Sequence, residues 1–511
     1  MRNGKIVKHH SLFLLFLLSI AVLSFFFLYP FFLVIVRNFS FSKFIQVLSE
    51  TYFYRVLLSN VKQAALSTFF SLLVASVFLF TLMCRDFKGK SIFIRVSYIP
   101  FVLPSIVLVL SFVILFGKES PLNINILYSL KAVLVAHTFY NFPIIMHSVY
   151  KKYTVLNRNI RDASYTLGAS KAYTFFHVTL SELKASILSS CLLVFMYSFS
   201  SFAIVLTLGG GVRNTTLEVE IYKNFKIINN KEVGTAYALC SFIIMFLLVM
   251  LYIILTRKDR SQTSGEMYKE KKGNVIHTVL SLIASFLLLL PLLSLFVSLF
   301  RVRIGRGSLT LRRAIGDVFS HYDIFINSFI VAILSSLIVV SLSFIISEYL
   351  RRRNIKDTDA FVFLPLSFST VALASGWRAL ELTNRFTIII VLSCLHAFLS
   401  FPLVYRIVNS AVRSIKTSSL LAPLTLGSGE VKAMFMADLP SVIGPIKGAF
   451  LLSFASSLGE VSGSLVLSSY SFNTLSTAIY SYISRYNYTS ATVVALILCI
   501  IVLIIYKVDE Y

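Results

Sequence analysis

The chain has 511 residues, of which 57% are hydrophobic and only 14% are charged. Soluble proteins average about 45–50% apolar and about 25% charged residues, so this composition excludes a water-soluble globular fold. The formal net charge is +25, but the lysine and arginine residues cluster in short segments between apolar runs. This distribution is typical of cytoplasmic loops in membrane proteins and excludes a basic nucleic-acid-binding surface.

A transmembrane helix needs about 20 mainly apolar residues, and the sequence contains about twelve such runs. We therefore predict an all-α, polytopic membrane protein with both termini in the cytoplasm. The first run is too long for the apolar region of a signal peptide and is interpreted as an uncleaved helix. The predicted spans are 11–36, 59–83, 93–117, 129–150, 186–208, 234–256, 276–300, 327–350, 360–380, 387–408, 444–467 and 489–506.

The orientation of the spans follows from the basic residues of the loops, which concentrate on the cytoplasmic side of a membrane. One basic loop, 301–326, opposes the orientation that all the others support. The majority predicts that the chain lies in the cytoplasmic membrane with these loops inside: 84–92, 151–185, 257–275, 351–359 and 409–443.

Several residues recur at one fixed offset in the second part of the chain, for example Gly168 and Gly427 (427 − 168 = 259). The other pairs at this offset are His137 and His396, Pro143 and Pro402, and Leu180 and Leu439. The offset predicts two parallel repeats of six spans, a first half at 1–256 and a second half at 276–511, joined by a polar linker at 257–275. Parallel repeats are common in transporters, where the substrate path lies at their interface.

Two long cytoplasmic loops, 156–184 and 415–440, are too polar to span the membrane but carry the apolar rhythm of helices. Their central parts read RDASYTLGASKAYTFFHVTLSEL and LAPLTLGSGEVKAMFMADLPSV. Each contains a glycine, Gly168 or Gly427, which permits the left-handed backbone of a tight turn. We predict two short helices joined at each glycine, because such helices can dock in a groove on a partner.

These loops resemble the EAA loop of binding-protein-dependent, MetI-like permeases of ABC importers. The pattern of that family is roughly E-A-A, three residues, G, nine residues, I-x-L-P. The first loop departs from it at Ser181, in place of the final proline, and the second lacks the acidic residue. The matching residues are Asp162, Ala163, Ser164, Gly168 and Leu180 in the first loop and Ala422, Pro423, Gly427, Leu439 and Pro440 in the second.

The resemblance implies the fold of a type I ABC importer permease, with each loop seated on a dimer of ABC ATPase subunits. It also implies a periplasmic or extracellular solute-binding protein that delivers the substrate. This chain is then a transport subunit in lipid that is not an enzyme and binds no cofactor or nucleic acid, since the ATPase uses ATP and Mg²⁺. In agreement, the partial nucleotide-binding motif at Gly89-Lys90-Ser91 lacks its first glycine, because Cys84 occupies that position.

Two fused halves in one chain resemble the thiamine and ferric-iron branches of this family. The stretch from Ser198 to Phe225 is the most similar to the thiamine branch, because three glycines precede T-T-x-E-x-x-I-Y. The resemblance implies a permease for thiamine or a phosphorylated thiamine. Ferric iron or another small ion is the first alternative, and a secondary transporter driven by an ion gradient is the second. A membrane-embedded enzyme would need clustered His, Asp or Glu residues at an interface, and the sequence has none.

Ionisable residues at bilayer depth are costly and often functional, which makes Glu460 a candidate for the substrate path. A carboxylate with aromatic neighbours suits an aromatic cation through charge and cation–π attraction. Tyr140, Tyr197 and Phe202 are candidate neighbours, with ordinary packing as the alternative for each. The five cysteines show no metal-binding spacing, so neither a metal site nor a disulfide framework is predicted.

Overall fold

A computed structural model of the chain describes residues 10–84, 86–117, 124–156, 158–259, 275–300, 311–355, 362–381, 384–415, 428–468 and 472–508. Within these ranges nine helices are long and apolar enough to cross a membrane, or up to eleven if two bent pairs each count as one span. The all-α, polytopic fold predicted from composition is confirmed. The described residues contain nine to eleven of the about twelve predicted spans, and several of the predicted apolar runs are broken into shorter helices.

The helices of the first part of the chain alternate long spans with short segments at the predicted membrane surfaces and inside the bundle. They are α1 His10–Asn38, α2 Phe41–Ser49, α3 Thr51–Cys84, α4 Lys90–Val102, α5 Ser105–Phe116, α6 Leu130–Thr154, α7 Arg158–Thr166, α8 Lys171–Phe199, α9 Ala203–Leu208, α10 Leu217–Tyr222 and α11 Lys231–Asp259.

The second part repeats this order with small changes of length. Its helices are α12 Val275–Phe300, α13 Leu311–Ser320, α14 Tyr322–Arg352, α15 Thr370–Arg378, α16 Arg385–Ser414, α17 Glu430–Ser441, α18 Ile443–Gly459, α19 Ser462–Leu467, α20 Leu475–Ser484 and α21 Tyr488–Val508. The short helices α9 and α19 each follow a long span, and α10 and α20 each precede the last span.

The third predicted span of each half is interrupted. Instead of one helix over 93–117, α4 and α5 meet at 97°. Pro104 has no backbone N–H and disfavours helical backbone at the residue before it, so Leu103 is extended (ψ 143°). Over 360–380 a 3₁₀ turn at Leu364–Ser367 is followed by α15, which has only nine residues. Neither run is a straight span.

The fifth predicted spans are interrupted as well. The run 186–208 is divided between α8, which ends at Phe199, and α9. The run 444–467 is likewise divided between α18 and α19. A hydropathy window averages over the few residues of each break, so composition alone does not reveal them. These breaks bring short helices and their polar ends into the interior of the bundle.

The first helix of the chain packs against the second half. A Cβ added to Gly376 of α15 would clash with the carbonyl oxygen of Pro30 in α1. The neighbouring Trp377 donates its indole N–H to the carbonyl oxygen of Phe26 over 3.3 Å, and its ring contacts Tyr29. The glycine is therefore required for close approach of the two helices.

The first helix of the second half makes the reciprocal contact with the first half. Ser294 of α12 donates a hydrogen bond of 3.3 Å to the carbonyl oxygen of Ser111 in α5. The two sets of helices are thus interlocked through their first members. Most of the predicted linker 257–275 lies outside the described residues, and the domain boundaries at 256 and 276 stay a prediction.

Candidate coupling loops and substrate path

The first of the two predicted coupling loops, residues 156–184 and called the first coupling loop below, forms two helices with a turn at Gly168 within its described part, 158–184. Helix α7 ends there in a Schellman-type arrangement, in which the N–H of Ala169 bonds to the carbonyl of Ser164 and that of Gly168 to the carbonyl of Tyr165, each over 3.0 Å. Gly168 has a φ of +83°, a conformation that favours glycine. The hydroxyl of Ser170 then accepts a hydrogen bond from the N–H of Tyr173 and begins α8.

Side-chain contacts hold this loop to the membrane helices. Arg161 donates to the hydroxyl of Tyr153 over 3.1 Å, and that hydroxyl donates to the carbonyl oxygen of Met83 over 2.9 Å. Within the loop, the hydroxyls of Ser164 and Thr174 are 2.9 Å apart and link α7 to α8. The loop is therefore tied to the ends of two spans, α3 and α6.

The surface of the first coupling loop exposes several large apolar side chains. Leu167 is 87% exposed, and Tyr173 and Phe176 are exposed beside it. The predicted residues Ala163 and Leu180 are also exposed to solvent, and Asp162 is half-buried. Contiguous exposed apolar side chains at a protein surface are typical of docking sites.

Part of the second coupling loop, residues 415–440, lies outside the described residues, and this part includes Ala422, Pro423 and Gly427. Its remainder is α17, which meets the following span α18 at 82°. Leu439 is half-buried and Pro440 is exposed near the end of α17. Both coupling loops contain a π-helical turn at the same place in the repeat, at Thr174–Thr179 and Met434–Asp438.

A buried ionic cluster ties the second coupling loop to α14. Asp438 accepts from Arg352 over 2.7 Å and from Arg351 over 3.0 Å. The same two arginines contact Glu348 over 3.2 Å and 2.8 Å. The carboxylates are 0% (Glu348) and 1% (Asp438) exposed, so the cluster is shielded from water. Buried ions are tolerated when each has an opposite charge in contact, which is the case here.

The repeated histidines bind the broken fifth spans to the fourth spans. His137 lies 2.8 Å from the hydroxyl of Ser201, at the break between α8 and α9. His396 lies 2.7 Å from the hydroxyl of Ser457 and 3.3 Å from that of Ser464, on either side of the break between α18 and α19. Both histidines are buried and hold helices together through hydrogen bonds.

Glu460 lies at the second of these breaks, at the position that Ser201 occupies in the first half (460 − 201 = 259). Its carboxylate accepts hydrogen bonds from the backbone N–H groups of Ser462, Gly463 and Ser464, the first over 2.8 Å. It also lies 3.2 Å from the imidazole of His396. Glu460 therefore caps α19 in this conformation, and its assignment to the substrate path stays a prediction.

The aromatic residues assigned to the path lie in different surroundings from Glu460. Tyr140 and Tyr197 are half-buried, and the Tyr140 ring is 5.8 Å from that of Phe101. Phe202 is buried at the α8–α9 break, with its ring edge-on to Tyr222 at 5.2 Å. The carboxylate of Glu460 contacts His396 and backbone groups of α19, and the assignment of the four residues to one substrate path stays a prediction.

Polar contacts join the two halves in the structure, and the sequence analysis did not predict them. Lys226 donates to the carbonyl oxygens of Val466 and Ser468 over 3.0 Å and 3.1 Å, and Arg378 donates to that of Val466 over 2.8 Å. Burial and the nearby Arg378 lower the pKa of Lys226 to about 8. The two cations come from opposite halves and together cap the carbonyl end of α19.

A carboxylate also crosses this interface. The hydroxyl of Ser369, at the start of α15, donates to the carboxylate of Glu218 in α10 over 2.7 Å. Nearby, a Cβ added to Gly459 would lie 2.8 Å from the Cβ of Pro104, so the ends of the broken spans of both halves meet closely. This arrangement places the broken helices on both sides of one central interface.

Residues 67–261, from α3 to the end of α11, match the family described as the binding-protein-dependent transport system inner membrane component. A permease PotC homolog of the spermidine/putrescine transport system from Mycoplasma pneumoniae is 31% identical over 225 residues, 43% of this chain and 77% of that protein. This chain belongs to that family of permeases.

Other relatives of the permease extend the similarity into its second half. The thiamine transport system permease protein ThiP of Brucella abortus is 25% identical over 401 residues, 73% of this chain and 69% of that protein. ThiP of Haemophilus influenzae is 25% identical over 264 residues, so the matched part of this chain spans about half (49%) of that relative. The resemblance proposed from the coupling loops is confirmed.

Proposed function

We propose that the permease is the transmembrane subunit of an ATP-driven importer for thiamine or a phosphorylated thiamine. The similarity to ThiP over 73% of the chain carries this proposal. The stretch from Ser198 to Phe225, which resembles the thiamine branch, supports it from within the sequence and supplies α9 and α10 at the interface. The permease lies in the cytoplasmic membrane with both termini in the cytoplasm.

The two coupling loops bind a dimer of ABC ATPase subunits. Exposed apolar side chains support this role in both loops, Leu167 in the first and Met436 in the second, the latter 70% exposed. The hydrogen bonds of Arg161 and Tyr153 fix the first loop to the spans α3 and α6, and the ionic cluster at Asp438 fixes the second to α14. Movement of the ATPase subunits is thereby passed to the helices, while ATP and Mg²⁺ remain bound to the partner.

A solute-binding protein delivers the substrate to the opposite side of the membrane. The substrate then passes between the halves, where the broken helices α5, α9, α15 and α19 place polar backbone groups in the interior. Such discontinuous helices form the substrate sites of many transporters, because their free ends provide hydrogen-bonding groups at bilayer depth.

A polyamine is the second candidate substrate, because the relative from Mycoplasma pneumoniae belongs to a spermidine/putrescine system and has 31% identity. None of the relatives described above is named for iron, so the ferric-iron alternative has no comparable support. Membership of the binding-protein-dependent family likewise favours an ATP-driven importer over a secondary transporter.

Reconstitution tests the proposal. The full chain is purified with its ATPase subunits, placed in liposomes and supplied with the solute-binding protein and labelled thiamine. We expect uptake that requires ATP and ceases with an ATPase variant unable to hydrolyse it. Uptake of spermidine but not of thiamine would favour the polyamine alternative, and uptake without ATPase subunits that follows a proton gradient would overturn the proposal.

A further inference from the structure

Helix α10 carries two buried carboxylates in very different surroundings. Glu218 and Glu220 are 3% and 4% exposed, respectively. Glu220 is paired with the ammonium group of Lys223 over 2.8 Å and accepts from the hydroxyl of Thr215 over 2.7 Å. Its negative charge is therefore compensated by a neighbour on the same segment of chain.

Glu218 has no such compensation. Its carboxylate accepts the hydroxyl hydrogen bond of Ser369 from the other half, and no Lys, Arg or His of the described residues forms an ion pair with it. Its surroundings offer hydroxyl groups and partial positive charge instead: Ser241 also donates to it, and it lies near the N-termini of its own helix α10 and of α15, which Ser369 caps. Burial of a carboxylate without a cation destabilises a fold, and an ionisable residue at such a depth is functional by default.

A structural role alone does not require a carboxylate here. A glutamine would accept the same hydrogen bond from Ser369 without the cost of a buried charge. The repeat supports this view, because α10 and α20 begin with Leu217 and Leu475, which places Ser476 at the position of Glu218. Ser476 fills it with an uncharged hydroxyl that donates to the carbonyl oxygen of Glu460 over 2.7 Å.

We propose that Glu218 binds the positive charge of an organic cation as it passes between the halves. The contact between Glu218 and Ser369 joins α10 to α15 across the interface, so separation of the halves exposes the carboxylate to the substrate path. Tyr222 lies one helical turn further along α10, with its ring against Phe202 at 5.2 Å, and offers an aromatic face to the same cation. This proposal deepens the proposed function and rests on it.

The variants Glu218→Gln, Glu218→Asp and Glu220→Gln test the proposal in liposomes that contain the full complex and labelled thiamine. We expect Glu218→Gln to reduce ATP-driven uptake about tenfold or more, the effect of losing one charge contact, at unchanged amounts of folded complex. Glu218→Asp keeps the charge and should retain most of the uptake. Glu220→Gln, the matched control, should lower thermal stability by unpairing Lys223 but leave uptake per folded complex near that of the wild type.

The outcomes separate this inference from the function it rests on. Equal thiamine uptake by the wild type and Glu218→Gln, per folded complex, overturns the role of Glu218 and leaves the importer intact. If the wild type transports spermidine instead of thiamine, the same variants are compared with spermidine, and the same loss is expected. A wild type that takes up neither cation overturns both proposals.

Discussion

The backbone of Gly168 combines an unusual conformation with empty space around it. Its φ is +83°, yet a Cβ added at this position would have no heavy atom within 4 Å. A side chain here is therefore opposed by the left-handed backbone and not by a steric clash with a neighbouring segment. For residues other than glycine this conformation costs roughly 1–2 kcal/mol.

We expect Gly168→Ala to loosen the turn of the first coupling loop and to reduce ATP-driven uptake severalfold, while ATP hydrolysis by the bound ATPase continues. The strain of about 1 kcal/mol shifts the turn away from its native geometry. Uptake and hydrolysis are measured on the same reconstituted complex. Gly444→Ala is the control, since Gly444 also has free space but no positive φ. Coupled transport at the wild-type rate in Gly168→Ala would contradict the role of this turn.

The role of a residue could be predicted from the sequence where it depends on the residue's own conformational preference. It could not be predicted where it depends on a contact with a residue far away in the chain. Glycine at 168 indicated a turn because its conformational freedom is a local property. Glu218 stood in a motif, but its partner Ser369 lies 151 positions away and has no sequence signal that joins the two. Glu460 was assigned to the path because a charged residue in an apolar run is unusual. In the structure its carboxylate accepts hydrogen bonds from the backbone N–H groups at the start of α19 and caps that helix.

At the scale of helices, the structure differs from the prediction made from composition in one respect: the third and fifth spans of each half are broken. Apolar runs locate helices well, since lipid leaves no other partner for backbone polar groups than the helix itself. Interior backbone can depart from this rule where other protein groups satisfy it, as Glu460 does for the N–H groups of α19. A window of apolar residues contains no information about such partners, which is why 93–117 and 360–380 were predicted as straight spans.

The attachment of α17 to α14 gives a prediction at the same scale. We expect Asp438→Asn to destabilise the protein by about 3–5 kcal/mol, because Arg351 and Arg352 then lie buried with one carboxylate fewer. The melting temperature in detergent should fall clearly, and uptake should fall further than ATP hydrolysis. Glu232→Gln removes an exposed carboxylate and should change the melting temperature little. An unchanged melting temperature for Asp438→Asn would show that the cluster does not stabilise the loop.

At the scale of the whole molecule, direct contacts join the two halves of the described part of the chain. Helix α1 packs on α15 through Gly376 and Trp377, and α12 packs on α5 through Ser294. The family and the repeated architecture were predictable from hydropathy and from the offset of 259 residues. The packing of each first helix against the opposite half was not predictable, because the sequence of an apolar helix does not indicate which other helix it contacts.

Because the first helix of each half packs against the other half, we expect that the chain can be divided into two polypeptides that still associate. Residues 1–265 and 266–511, produced together as two polypeptides, should co-purify through a tag on either one and transport substrate with the ATPase. The reason is that each half offers the surface that covers the first helix of the other. The control is the first fragment without residues 1–38, which leaves Trp377 of the second fragment uncovered and should co-purify in a smaller amount. Independent stability of either fragment alone would contradict this account.

The carbonyl oxygen of Val466 accepts one hydrogen bond from Lys226 of the first half and one from Arg378 of the second half. If the two halves separate, Val466 moves with Arg378 because both belong to the second half, so the charged hydrogen bond from Lys226 must break. A hydrogen bond to a charged group contributes about 1.5–3 kcal/mol. In the proposed importer, the free energy that the ATPase subunits obtain from ATP is sufficient to break it. The carbonyl end of α19 is therefore one of the contacts that must break when the halves separate, and α19 stays with Arg378 in its own half.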